Sequence, residues 1–245
     1  MPERLALMLG SGFSTLVDGL PGRRAKTPWG EPSAPLCERR FGNTAAWLLP
    51  RHGEAHDIPP HAINYRANVA ALADAGVTGI IALNTVGAVT SICTGGDIGV
   101  PEQLIDYTWG RAHTFFDGGG DDVTHIDFTQ PFDADLRRRL LEAAAAADVD
   151  CYDGGVYAVT QGPRLETAAE VERLARDGAD YVGMTAMPEA ALAAEARIPY
   201  ACLALVVNPA AGRGDTPIHD DVGRYSAQAR ERAMRVIDAL FGAAR

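Results

Sequence analysis

The chain has few of the residues from which metal sites and disulfide frameworks are built. Its 245 residues include only four cysteines, and no two of them form a CxxC pair, so the spacing of a zinc site is absent. Three of the four lie beside apolar residues, which predicts buried, reduced thiols and favours a reducing cytoplasm. We expect no metal. The cysteines are Cys37, Cys93, Cys151 and Cys202.

Positive charge and long apolar runs are also scarce. The chain has 22 lysine and arginine residues against 32 aspartate and glutamate residues, a net charge of −10. A nucleic-acid partner is not expected, because binding a phosphate backbone requires clustered basic residues. No stretch approaches the about 20 apolar residues that span a bilayer, and the N-terminus lacks the pattern of a signal peptide. We therefore expect a soluble, cytoplasmic protein without a membrane partner.

Short apolar runs alternate with longer helical patterns, which is typical of an α/β sheet. Hydrophobic residues make up 47% of the chain, enough for a large core, and the length favours one domain over residues 1–245. Helical faces are expected before Gly76, after the cap candidate Asp133, and at the end of the chain. The predicted strands are Leu5–Leu9, Ala45–Leu49, Gly79–Leu83, Val156–Thr160, Tyr181–Gly183 and Tyr200–Val207.

Polar residues follow several of these strands. Gly10-Ser11-Gly12 could place consecutive backbone N–H groups around an anion, although any strand-to-helix turn can have this sequence. The RHGEAH segment begins with Arg51, whose guanidinium matches phosphate oxygens, but a surface arginine beside a partly buried histidine explains it equally well. Asn84-Thr85 and Met184-Thr185 also follow strands, at the sheet edge where α/β proteins bind ligands. These four segments predict a ligand site without naming its substrate.

Taken together, the segments resemble the trimeric purine nucleoside and methylthioadenosine phosphorylases. The resemblance extends from Leu9 to Gly212, in the family's order, and within the family it is closest to bacterial S-methyl-5′-thioinosine phosphorylases. It implies one α/β domain with a mixed central sheet flanked by helices, and a homotrimer. The matching passages are GSGFS, RHGEAHDIPPHAINYRANVAAL, NTVGAV, THIDF, TQGPRLETAAE, GADYVGMTAMPEAALAAE and LALVVNPAAG.

The resemblance also implies a role for each matching position. Met184 would contact the ribose, and His125 would reach across a subunit boundary to a neighbour's sugar pocket. His56 would either assist phosphate or brace its loop. The family reaction uses no cofactor, and inorganic phosphate is a co-substrate. The residues expected around phosphate are Ser11, Arg51, His52, Asn84, Thr85 and Thr185.

Three positions bear on the purine. Relatives that act on 6-aminopurines have aspartates where this chain has Asn208 and Ala210, whereas 6-oxopurine enzymes have an asparagine at the first position and a glutamate in GPxFET. Here the glutamate is Glu166, but Leu165 replaces the phenylalanine. A 6-oxopurine presents a donor at N1–H and acceptors at O6 and N7, which suit a carboxylate and an amide. Adenine lacks the N1 donor, so a 6-oxopurine is favoured.

The substituent at the 5′ carbon of the sugar is less determined. His219, in HDDV, resembles the histidine of the HEEV segment that hydrogen-bonds the 5′-hydroxyl in purine nucleoside phosphorylases. The less favoured alternative is a solvent-facing histidine at a helix start. The resemblance favours inosine or guanosine, with Asn208, Glu166 and Arg51 as the catalytic residues. The alternatives are methylthioinosine or methylthioadenosine phosphorolysis, a nucleosidase that uses water, a non-catalytic nucleoside-binding protein and, least favoured, a dinucleotide-dependent enzyme.

Overall fold

The computed structural model describes residues 3–118 and 124–242, and this part of the chain contains eleven strands and five α-helices. The strands are β1 (Leu5–Leu9), β2 (Gly22–Arg23), β3 (Leu36–Phe41), β4 (Thr44–Pro50), β5 (Gly79–Ala88), β6 (Ile98–Val100), β7 (Gln103–Asp106), β8 (Cys151–Asp153), β9 (Val156–Val159), β10 (Tyr181–Gly183) and β11 (Tyr200–Pro209). The helices are α1 (Tyr65–Asp74), α2 (Ala134–Ala146), α3 (Ala168–Arg176), α4 (Ala186–Glu195) and α5 (Ile218–Gly242).

All eleven strands form one mixed sheet, in the order β2-β3-β4-β1-β5-β10-β9-β7, and β11, β6 and β8 continue it from the other side of β5. β5 organises the sheet because it has different neighbours along its length. Its first half pairs with β1 in parallel, whereas Gly87 and Ala88 pair with β10 in antiparallel register. β11 lies parallel along the other side of β5. Among the described residues, no strand lies beside residues 84–86 on that side of β5.

Two large cores cover the opposite faces of the sheet, as the alternation of side chains along a strand requires. Leu5, Leu7 and Leu9 of β1 belong to the core that α2 and α5 cover. Ala6 and Met8 belong to the core on the other face, with residues of α1 and α4. The prediction of a single-domain α/β fold, with a mixed sheet flanked by helices, is therefore confirmed.

All six predicted strands are present, and β5 and β11 extend past their predicted ends to Ala88 and Pro209. The five strands that the sequence did not predict are short, or carry charged residues, as in the LCERRF sequence of β3. Such segments have no continuous apolar run, and they join the sheet because neighbouring strands supply hydrogen bonds. No described helix combines the length and the apolar character needed to cross a membrane.

The predicted helix boundaries at Asp133 and Gly76 are also present. The side chain of Asp133 caps α2 by accepting a hydrogen bond from the Leu136 backbone N–H at 2.9 Å. Gly76 follows the end of α1 with a φ of 72°, the left-handed conformation that favours glycine there. Local chemistry therefore determines where α2 begins and where α1 ends.

We predict that Asp133→Ala lowers the free energy of unfolding by about 1 kcal/mol, because it leaves a helix N-terminal N–H without its acceptor. Asp135→Ala, on the exposed side of the same turn, is the control and should change stability by less than about 0.5 kcal/mol. Urea denaturation of both variants measures this. Equal losses would contradict the capping role of Asp133.

Candidate functional site

A cavity of about 300 Å³ opens where β5 exchanges β1 for β10 as its neighbour. Asn84, Thr85 and Val86, the three residues of β5 without a strand on that side, line it. Residues that follow β1, β4 and β10 also line it, together with the end of β11. The predicted polar segments therefore meet in one cavity, but Asn84 and Thr85 lie within β5 and do not follow it, because the strand continues to Ala88.

Arg51 lies at the base of the cavity and is fully buried. It makes a two-pronged ion pair with Glu189 of α4, with Nε 2.7 Å from Oε2 and Nη2 2.9 Å from Oε1. Nη2 also donates to Oδ1 of Asn84 at 2.8 Å, and Nη1 donates to the Leu83 carbonyl at 3.4 Å. Tyr200 donates its hydroxyl proton to Glu189 at 2.9 Å. These contacts hold the guanidinium in one orientation.

Electrostatics keep this arginine charged. Burial by itself lowers the pKa of Arg51, but the charge of Glu189 and its hydrogen bonds to the guanidinium outweigh burial and raise the pKa above its ordinary value. One hydrogen of Nη1 remains beyond the four bonds described. The side-chain Nδ2 of Asn84, also buried, has no hydrogen-bond partner among the described residues. Both groups are donors that an anion in the cavity could accept from.

His52 is a neutral ring at physiological pH. Burial, followed by the charge of Arg51, lowers the pKa of His52 to about 4, although the bond to Ile58 opposes this shift. Its Nδ1 lies 2.8 Å from the Ile58 carbonyl oxygen, which can only accept, so the single proton of the ring is on Nδ1. The other nitrogen, Nε2, is left as an acceptor. His52 therefore adds no charge to the cavity.

The glycine turn after β1 lies against the same base. A Cβ at Gly10 would be 2.2 Å from the Leu83 carbonyl oxygen and 3.1 Å from Nη1 of Arg51, so only glycine fits there. Ser11 lines the cavity, and its hydroxyl lies 3.3 Å from Nε2 of His56. His56 itself is exposed and is not part of the cavity wall. This contact agrees with the alternative in which His56 braces its loop, here against Ser11.

Glu166 and Asn208 line the same cavity, although 42 positions separate them in the sequence. Thr160 donates its hydroxyl proton to Oε1 of Glu166 at 2.6 Å, which orients the carboxylate. The amide nitrogen of Asn208 donates one hydrogen to the Pro209 carbonyl at 2.6 Å and retains a second. A Cβ at Gly87 would lie 3.2 Å from that nitrogen, so the glycine leaves room for the amide.

Of the other predicted residues, Met184, Thr185, Thr85 and Ala210 line the cavity, whereas His125 and His219 do not. Both histidines are exposed. His125 follows residues 119–123, which lie outside the described part of the chain.

The cavity wall at the start of α5 is built instead from two apolar residues. Ile218 and Val222, one turn apart on α5, line the cavity in the region of the sequence where His219 was expected to contribute. Ser226 and Arg230 continue the same helix face.

Arg111 is a structural residue that the sequence did not reveal. It is buried, and its guanidinium donates to backbone carbonyls of the segments that follow β9 and β10. Nη1 binds the carbonyls of Met184 and Met187, and Nη2 binds those of Thr160 and Gln161, at 2.5 to 3.3 Å. Arg111 thereby ties the loop that carries Glu166 to the segment that carries Thr185. No motif marks it, because four of its five hydrogen-bond acceptors are backbone carbonyls and the fifth, the Tyr65 hydroxyl at 3.2 Å, is 46 positions away in the sequence.

Comparison with known proteins places this geometry in a family. The model of the phosphorylase superfamily matches residues 1–242. A probable S-methyl-5′-thioinosine phosphorylase of Pseudomonas syringae pv. tomato is 50% identical over 216 residues, covering 87% of each chain. The 6-oxopurine nucleoside phosphorylase of Pyrococcus furiosus is 38% identical over 245 residues, covering 97% of this chain and 92% of its own. The structure of the methylthioadenosine phosphorylase of Schistosoma mansoni with tubercidin aligns with a TM-score of 0.91 at 32% identity, covering 98% and 91%.

We predict that Glu189→Gln lowers the free energy of unfolding by about 3–5 kcal/mol, because it leaves the buried Arg51 charge without its counter-ion. Glu195→Gln is the matched control on α4, since in the described part of the chain Glu195 accepts from neutral groups, those of Thr114 and Phe115. It should cost about 1 kcal/mol. Chemical denaturation of both variants measures the difference, and similar costs would contradict the importance of the ion pair.

The low pKa of His52 predicts a pH dependence of stability. The folded-state pKa, about 4, lies below the ordinary value of about 6.5, so the folded state resists protonation. The contribution of His52 is therefore present above pH 6.5 and is lost, by up to about 3 kcal/mol, as the pH falls to 4. His52→Gln should lack this slope, so the difference in the free energy of unfolding between variant and wild type should change by up to about 3 kcal/mol between pH 6.5 and 4. An NMR titration of the ring with a midpoint near 6.5 would contradict the assignment.

Proposed function

The chain belongs to the phosphorylase superfamily and is a nucleoside phosphorylase, and from this premise we propose that its substrate is S-methyl-5′-thioinosine. In the proposed reaction, a phosphate oxygen bonds to C1′ of the sugar while the bond from C1′ to N9 of the purine breaks. The base leaves with the electron pair and takes up a proton at N7, which balances the proton that HPO4²⁻ loses as it becomes the dianionic sugar phosphate. The products are hypoxanthine and 5-methylthioribose 1-phosphate, and phosphate is a co-substrate.

The base-site proposal rests on Glu166 and Asn208. The Glu166 carboxylate would accept from N1–H of a 6-oxopurine, while the spare amide hydrogen of Asn208 would donate to N7 as negative charge develops there. A 6-aminopurine has no N1 donor, so it would leave the carboxylate facing a lone pair. Unpaired polar groups of this kind can reduce kcat/KM on the order of 10⁴-fold. The match with 6-oxopurine enzymes in the comparisons supports this part of the proposal.

The 5′-methylthio group is supported by one observation above the others: Ile218 and Val222 line the cavity, and His219 is exposed outside it. Two aliphatic side chains suit a thioether and offer no partner to a 5′-hydroxyl. The preference for inosine or guanosine that the sequence suggested depended on His219, so methylthioinosine, the alternative substrate, is the better supported one. The name of the relative that is 50% identical agrees with this.

The donors around Arg51 would hold phosphate. The residues that the sequence assigned to phosphate line one cavity. The donors they offer are Nη1 of Arg51, Nδ2 of Asn84, the hydroxyls of Ser11 and Thr185, and the backbone of the turn after β1. Their fixed orientation would stabilise the transition state by positioning the nucleophile and by placing dipoles before the reaction begins. The homotrimer, with His125 reaching a neighbouring subunit, stays a prediction.

A substrate panel tests the proposal. We expect phosphate-dependent release of base from methylthioinosine with kcat/KM at least about tenfold above that for inosine and guanosine, the usual worth of one apolar group. Adenosine and methylthioadenosine should be poorer by orders of magnitude, since they lack the N1 donor. Base release that is independent of phosphate would identify a nucleosidase, and binding without release would identify a non-catalytic protein.

Two variants of α5 then separate the 5′ assignments. Val222→Thr replaces a methyl group with a hydroxyl at nearly constant volume. It should lower kcat/KM for methylthioinosine about tenfold while changing that for inosine less than about threefold. His219→Ala should leave both values, and therefore their ratio, unchanged. A selective loss of inosine turnover in His219→Ala would instead restore the hydrogen bond from His219 to a 5′-hydroxyl and overturn the methylthio proposal.

A further inference from the structure

The cavity has little positive charge for a site that receives an anion. Glu189 neutralises the Arg51 guanidinium through two hydrogen bonds, and His52 is neutral. Glu166 contributes a carboxylate to the wall, and the whole chain has a net charge of −10. Arg111 lies behind the wall and is bound to backbone carbonyls. An approaching phosphate ion therefore meets an Arg51–Glu189 pair whose charges cancel and a Glu166 carboxylate that repels it.

Arg230 is the exception among the charged residues that line the cavity. Val222, Ser226 and Arg230 are spaced by four positions on α5, so they share one helix face, and all three line the cavity. Arg230 is exposed, and no carboxylate pairs with it in the described part of the chain. Its neighbour Arg232, by comparison, is paired with Asp97 at 2.7 Å.

The head of Arg230 lies against the glycine turn that follows β1. Its Nη1 donates to the Gly12 carbonyl at 3.0 Å, across 218 positions of sequence. Gly12 has a φ of 84°, and Nη1 of Arg230 is the nearest atom, at 3.3 Å, to the position that a Cβ on Gly12 would occupy. The arginine therefore contacts the backbone next to Ser11, at the edge of the proposed phosphate position.

We propose that Arg230 is a positioning residue for phosphate, which supplies the uncompensated positive charge of the cavity and holds the Gly10-Ser11-Gly12 turn through the Gly12 carbonyl. This inference rests on the proposed phosphate-dependent function. A single unpaired cation at the mouth of a cavity raises the local concentration of anions, because the low-dielectric walls focus its field. The effect is specific to phosphate, since the nucleoside is neutral.

The test compares Arg230→Gln with Arg224→Gln, which makes the same change in net charge on the same helix at an exposed position outside the cavity wall. We expect Arg230→Gln to raise KM for phosphate about tenfold and to flatten its dependence on ionic strength, while kcat and KM for the nucleoside stay within about twofold. Arg224→Gln should resemble the wild type. Arg230→Lys should recover part of the affinity, because it restores charge without the guanidinium geometry.

Titration calorimetry with inorganic phosphate gives a readout that does not depend on turnover. Weaker phosphate binding in Arg230→Gln than in Arg224→Gln supports the inference, even if the substrate panel were to disprove the proposed reaction. An unchanged KM and dissociation constant for phosphate in Arg230→Gln, or an equal change in Arg224→Gln, overturns it. If phosphate binding were unchanged in Arg230→Gln while the wild type still required phosphate for turnover, the proposed function would stand. Only the role of Arg230 would then be rejected.

Discussion

The change of neighbour along β5 is the constraint on which the site depends. β1 ends at Leu9, β10 joins β5 only at Gly87, and residues 84–86 between them have no strand on that side. A gap of this kind leaves backbone and side-chain polar groups of a buried strand without a neighbouring strand. The surrounding strands hold those groups rigidly. The chain segments that leave β1, β4 and β10 all pass this gap. A cavity therefore follows from the topology, and its polar lining follows from the residues at the strand ends.

The buried pair of Arg51 and Glu189 shows how the protein holds an arginine at the base of that cavity. A guanidinium removed from water is costly unless a counter-ion and further acceptors surround it. Glu189, Asn84 and the Leu83 carbonyl provide them, and Tyr200 supports the carboxylate. The consequence is an arginine that is rigid and directional but electrically compensated. Attraction of an anion from solution then falls to a residue outside the pair, which is the role we assign to Arg230.

The side chains that we assign to the substrate line the same cavity as Arg51 but belong to other chain segments. Glu166 and Asn208, which we assign to the purine, come from the segment before α3 and from the end of β11, while the aliphatic pair on α5 bounds the part of the cavity assigned to the sugar substituent. In the described part of the chain, none of these four side chains forms a hydrogen bond with Arg51 or Glu189. This arrangement gives a physical reason why relatives with one fold carry names that differ in the base and in the 5′ group.

The amino-acid sequence by itself determined the strands with continuous apolar runs, the caps of two helices and the polar strand ends, because these depend on local chemistry and on the rule that parallel strands end at a common edge. Resemblance to a family also predicted that a carboxylate and an amide face the purine, and this role of Glu166 and Asn208 stays a prediction. Only the tertiary structure decided which face of α5 meets the cavity, since successive helix residues point about 100° apart and a shift of one position exchanges His219 for Ile218. It alone brought Glu189 to Arg51 and Arg230 to Gly12. Those contacts join segments 138 and 218 positions apart, and no local pattern encodes which distant side chain a folded chain will place beside another.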